Sequence, residues 1–134
     1  MHPIHLIKGE NQALLSVSDA LILASGTVAL EAALYETPMI IAYRGPWIFY
    51  LIYLLVRCLK MVSLPNIITN KIIVPEIIQA SVKPDNISYN IEKILYDNEY
   101  RTNYIEELKG VKTLLSDKIS SKEAAETIAA EFLP

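Results

Sequence analysis

At 134 residues and 15.1 kDa, with 52% apolar residues and a net charge of only −3, the chain is one domain at most and long enough for a real core. That balance argues against disorder and against a nucleic-acid-binding surface. The single cysteine, Cys58, excludes an internal disulfide and leaves zinc without its usual thiolate cluster, so neither a metal nor a cofactor is expected.

The opening MHPIHLIKGENQ has neither a basic start nor a long apolar stretch, so no secretory signal is expected. His2 and His5 read as terminal residues rather than ligands. A reducing, cytoplasmic compartment fits the lone thiol. Glu10–Ser18 reads as a short helix, Asp19-Ala20 as a turn, and Leu21–Ala24 as a buried parallel strand. Ser25-Gly26-Thr27 then makes a tight polar turn into a helix over Val28–Tyr35, which Pro38 forbids from continuing. A strand, a glycine turn and a helix in that order point backbone N–H groups at an anion, phosphate above all.

Glu31 stands one helical turn beyond Thr27, about 6 Å along the axis at ~1.5 Å per residue. Neither Ser25 nor Thr27 forms a capping box with it, since Val28 stands three residues before it. A carboxylate there suits a ribose. The spacing serves a solvent-facing glutamate on an amphipathic helix equally well. After the turn Glu36-Thr37-Pro38, Met39–Tyr43 reads as a second buried strand, closing a parallel, right-handed strand–helix–strand unit. Its carboxyl ends fall at Ser25 and at Tyr43-Arg44, the edge where open α/β sheets bind ligands. Arg44 is therefore a candidate for the same rim, against the plainer reading of a surface arginine closing a loop.

Pro46–Met61 (PWIFYLIYLLVRCLKM) is apolar nearly all round, with Trp47, Phe49, Tyr50 and Tyr53 followed by Arg57 and Lys60. It is too short for the roughly 20 residues of a membrane span, which leaves a buried core helix or an interfacial one. Val62–Asn66 reads as a Pro-Asn loop presenting a side-chain amide. Pro75-Glu76 reads as a helix opening with an acid in its first turn. Beyond it, Asp85 or Asn86 caps a helix over Ile87–Tyr96 with an Ile87, Ile91, Ile94, Leu95 stripe; another helix spans Glu99–Leu115. Ser120–Glu123 forms a capping box for a last helix through Phe132. GxSxG, P-loop, HExxH and GxGxxG patterns are all missing. The residues alone thus describe part of an α/β domain with an anion site beside a ribose-suited acid. A nucleoside diphosphate fits both.

The blocks ASGTVALEAAL (Ala24–Leu34), PMIIAYR (Pro38–Arg44), VSLPNII (Val62–Ile68) and VPEIIQ (Val74–Gln79), in this order and spacing, resemble the carboxyl-terminal part of the lipid-A-disaccharide synthase family. The resemblance implies the carboxyl-terminal Rossmann-like domain of a GT-B glycosyltransferase: a parallel sheet flanked by helices, with a helical C-terminus. It implies transfer of a diacylated sugar from UDP-2,3-diacylglucosamine to lipid X, with inversion and release of UDP. Carried over, Ser25, Gly26 and Thr27 hold the diphosphate, Glu31 binds the ribose, Tyr43 and Arg44 line the nucleotide site, and Asn66 and Glu76 face the cleft.

The implied setting is cytoplasmic and peripheral, at the inner face of the bacterial inner membrane. Where the family often has Gly-Arg-Glu, this chain has Asn70-Lys71-Ile72, so the acid there is lost. The chain is also far shorter than the family. The amino-terminal acceptor domain and the catalytic base are expected outside it, the fragment alone is expected to be inactive, and exposed strand edges invite self-association. The alternatives are a non-catalytic module docking through Pro46–Met61, or another GT-B enzyme such as the peptidoglycan glucosaminyltransferase or a UDP-sugar epimerase. Those enzymes lack the SLPN and VPE blocks.

Overall fold

The run Met39-Ile40-Ile41-Ala42-Tyr43 carries no charge and favours extended backbone, and it forms β2 (Met39–Tyr43) at the middle of a parallel sheet ordered β1-β2-β3. The computed structural model describes residues 3–24, 26–46, 61–116 and 128–130. On one side of β2 lies β1 (Leu21–Leu23), with Leu21 opposite Met39 and Leu23 opposite Ile41. On the other lies β3 (Glu76–Ile78), with Glu76 opposite Ile41 and Ile78 opposite Tyr43.

Among the described residues the main helices are α1 (Asn11–Val17), α2 (Thr27–Leu34), α3 (Leu64–Thr69), α4 (Pro84–Tyr96) and α5 (Asn98–Ser116). A single 3-10 turn, Gln79–Ser81, joins β3 to α4, and residues 128–130 are helical. The expected α/β class and the parallel pairing of the strands flanking α2 are both present. Met39, Ile40 and Ile41 are wholly buried. Around them pack Ala29, Ala32 and Ala33 of α2, Ile94 of α4, and Tyr104, Leu108 and Val111 of α5. Alanines on the buried side of α2 let α5 approach it closely. Tyr104, Leu108 and Val111 recur at helical spacing and form the inward stripe of α5.

Polar ties fix these helices in place. The Tyr104 hydroxyl donates to the Met39 carbonyl at 2.6 Å, and burial pushes its phenol well above the ordinary range. The Thr37 hydroxyl donates to the Leu15 carbonyl at 2.5 Å, tying α1 to the turn before β2. Arg101 donates to the Asp19 carbonyl at 2.8 Å, and Lys112 meets the Glu36 carboxylate at 2.6 Å.

α2 ends in a Schellman motif: Thr37 N–H bonds to the Ala32 carbonyl and Glu36 N–H to that of Ala33, with Glu36 at φ 60°. α3 closes the same way on Asn70, at φ 53°.

Several local expectations change. β1 spans Leu21–Leu23 and is only partly buried, with Ile22 facing outward, rather than a buried strand through Ala24. Pro65-Asn66 is not a loop but the first turn of α3, because proline suits that position and Asn70 supplies the left-handed stop. Pro75-Glu76 opens a strand rather than a helix. Ile41 N–H donates to the Pro75 carbonyl at 2.9 Å, and the β-branched pair Ile77-Ile78 continues the ladder. Neither Asp85 nor Asn86 caps α4, whose N-cap is Lys83 with Pro84 at the first helical position; Asn86 instead donates its amide to the Ser81 carbonyl at 2.8 Å. In the expected α4 stripe Ile94 is buried and Ile87 and Ile91 are half-buried, while Leu95 faces outward.

Candidate functional site

Gly26 leaves β1 at φ 117° and ψ −161°, backbone that only glycine enters without strain, and caps α2 with no side-chain hydrogen bond. Its carbonyl takes the Ala29 N–H at 3.2 Å. Among the described residues nothing accepts from the N–H groups of Thr27 and Val28, so the start of α2 presents free donors at the positive end of its dipole. Ser25 lies outside the described residues.

α2 buries Ala29, Ala32 and Ala33, which turns Thr27, Glu31 and Leu34 outward as one exposed stripe. Thr27 and Glu31 thus share a face, as their spacing requires. No described residue makes a hydrogen bond or ion pair with the Glu31 carboxylate.

Because β1 and β2 are adjacent and parallel, their carboxyl ends share one edge of the sheet. Gly26-Thr27 and Tyr43-Arg44 therefore come to the same rim. Tyr43 and Arg44 are exposed, and the Tyr43 ring lies back over Gly45: a Cβ at Gly45 would stand 2.8 Å from the ring's Cε1 and hydroxyl. That glycine is a feature the sequence reading missed; a glycine two residues beyond an aromatic is the only signal it offered.

Asn66 and Glu76 form a separate, closed cluster. Glu76 Oε1 accepts from Ser63 N at 2.8 Å, Val62 N at 3.0 Å and Asn66 Nδ2 at 2.8 Å; Oε2 accepts from Val62 N at 2.9 Å. Asn66, wholly buried, also donates to the Val74 carbonyl at 2.8 Å and accepts from Ile73 N and Val74 N, each at 2.8 Å. The amide thus has both donors and both acceptor positions filled from within the chain. Beside them the Ser63 hydroxyl is buried and has no partner among the described residues. Nothing in the sequence marked Ser63, since a serine before Leu-Pro reads only as a cap.

Two concavities between described residues lie elsewhere. One of about 190 Å³ is lined by Lys71, Ile73, Tyr100, Asn103 and Glu107, and another of about 440 Å³ adjoins it towards Gly110 and Leu114. Both sit against α5 near the start of β3, away from the carboxyl rim. The segment between Pro46 and Met61, with its expected lipid or core contact, lies outside the described residues, as do the Ser120–Glu123 box and most of the last helix. Among the described residues no helix is long and apolar enough to cross a membrane.

Comparison with known proteins supplies a second, independent line. The family model described as lipid-A-disaccharide synthetase matches residues 1–132. A lipid-A-disaccharide synthase of Colwellia psychrerythraea is 43% identical over 101 residues, covering 75% of this chain and 25% of that protein. One of Pseudomonas putida is 34% identical over 129 residues, covering 96% of this chain and 33% of its own length. One of Pseudomonas syringae pv. tomato is 32% identical over 133 residues, with coverage of 98% and 34%. The chain thus spans a quarter to a third of the length of these relatives.

Proposed function

The chain belongs to the lipid-A-disaccharide synthetase family, and on that premise we propose that it is the UDP-sugar-binding portion of an inverting glycosyltransferase that forms lipid A disaccharide 1-phosphate. Its donor is UDP-2,3-diacylglucosamine and its acceptor lipid X. One observation supports the nucleotide reading: a helix start at Gly26-Thr27 without a side-chain cap, and a Glu31 carboxylate one turn along the same exposed stripe, unpaired among the described residues.

In this reading Ser25, Gly26 and Thr27 hold the diphosphate through backbone N–H groups and hydroxyls, and Glu31 accepts from the ribose hydroxyls. Tyr43 and Arg44 line the nucleotide, with the Arg44 guanidinium close to phosphate charge. An acceptor hydroxyl attacks the anomeric carbon from the face opposite UDP and its proton passes to a base on another part of the enzyme. The breaking C–O bond leaves its electron pair on the β-phosphate. The N–H groups at the head of α2 stabilise that developing charge, and because they are already oriented they need no reorganisation.

Partners follow from the same reading. The amino-terminal acceptor domain of the family completes the enzyme, and the outer edge of β1, unpaired among the described residues, is where added sheet would join. Without that cover the edge favours self-association. Acylated donor and acceptor suit a cytoplasmic enzyme held peripherally at the inner membrane.

The test is calorimetric titration of UDP into the chain, alone and with the family's amino-terminal part supplied. UDP is expected to bind and to raise the unfolding temperature. Glu31→Ala should weaken UDP roughly ten- to hundredfold, the worth of hydrogen bonds to a charged group, and leave the unliganded unfolding temperature unchanged. A Glu31→Ala chain that loses stability without UDP and binds it as tightly as before would overturn the assignment.

A further inference from the structure

Glu76 stands in the sheet row of Leu23 and Ile41, where a carboxylate without partners would be strongly disfavoured. It is accommodated because Val62 and Ser63, the residues leading into α3, turn their N–H groups onto it, and because Asn66 donates to it from the first turn of that helix. Glu76, on a neighbouring strand, thus holds the N–H of the N-cap residue itself, while the Ser63 hydroxyl makes no side-chain cap. Asn66 in turn fastens the loop before β3 through Ile73 N, Val74 N and the Val74 carbonyl.

We infer that Asn66 and Glu76 are positioning residues: they clamp Val62 and Ser63, where the chain that leaves the rim at Arg44 returns to the sheet, and they touch no part of the ligand. This rests on the rim of Gly26, Thr27 and Arg44 being the nucleotide site. A ligand contact from Asn66 would require breaking a bond it already makes, in a place with no exposure. Both ends of the segment from Arg44 to Val62 are then set: one by β2, the other by this clamp.

Amide exchange followed by NMR on the full chain tests this, in wild type, Glu76→Gln, Asn66→Ala and the double variant. In wild type the Val62 and Ser63 amides exchange slowly. In Glu76→Gln and in Asn66→Ala they exchange about ten- to hundredfold faster, while amides of α2 and β2 keep their protection and so report an intact fold. UDP affinity falls in each single variant, and the double variant falls no further, because both residues act through the same two amides. Saturating UDP shifts the Gly26, Thr27 and Arg44 backbone signals but leaves the Asn66 side-chain amide signals where they were.

Unchanged exchange at Val62 and Ser63 in Glu76→Gln overturns the clamp, as does movement of the Asn66 side-chain signals on adding UDP. Should wild type bind no UDP while both variants still lose protection at Val62 and Ser63, the nucleotide reading fails and the clamp stands.

Discussion

Ser63 carries a buried hydroxyl with no partner among the described residues, and such a group costs about 1–3 kcal/mol relative to a satisfied one. Ser63→Ala removes that cost while leaving the backbone N–H that Glu76 holds. Its urea unfolding midpoint should rise, by about 1 kcal/mol in stability; a fall would mean the hydroxyl is bonded in solution. Gly45 acts differently, through the ring it leaves room for. In Gly45→Ala the new methyl meets the Tyr43 phenol and the ring must swing away. If that ring lines the nucleotide, Gly45→Ala weakens UDP severalfold, and adding Tyr43→Ala to it weakens UDP no further. Equal UDP affinity in wild type and Gly45→Ala would remove Tyr43 from the site.

Among the elements, α2 is stopped by a glutamate in left-handed backbone, tied to α5 through Lys112. The Lys112 hydrogen bond holds the Glu36 carboxyl below its ordinary value of 4.5. With a folded value below the unfolded one, the pair contributes fully above pH 4.5 and its contribution is lost as pH falls through the lowered value. Urea midpoints of wild type and Lys112→Ala between about pH 7 and about pH 3 should therefore differ most at the upper end and converge in acid. A gap that stays constant across that range would exclude the pair as its source.

The elements also show what was legible in the sequence. Strand β2 and the glycine turn into α2 could be read because a continuous apolar run, a glycine and a proline each act locally. The fates of Pro65 and Pro75 could not, since proline suits a helix start and a strand entry alike, and the choice was made by β2 accepting a neighbour. Asn66 and Glu76 were visible as isolated polar residues in apolar stretches. Their pairing was hidden because it depends on α3 folding back against β3. Tyr104 was hidden likewise, as its hydroxyl meets a carbonyl far away in sequence.

At the scale of the whole molecule, the sheet is organised about one buried strand, with β1 at an edge unpaired among the described residues and Ile22 more than half exposed. Parallel sheets are ordinarily covered on both faces. The family relatives are three to four times as long as the segment matched here, and on the proposed function the rest of such an enzyme would supply that cover. The proposed division of labour follows: this chain grips the nucleotide, while the acceptor and the base are held elsewhere. In that proposal the carboxyl rim, the start of α2 and Glu31, which has no side-chain partner among the described residues, are its contribution.

The proposed contact between Glu31 and the ribose is tested most directly by comparing UDP with its 2′,3′-dideoxy analogue. Wild type should prefer UDP by roughly tenfold or more, and Glu31→Ala should bind the two ligands alike. A preference of the same size in both proteins would show that the ribose is read by some other group, and the nucleotide site built on Glu31 would be wrong.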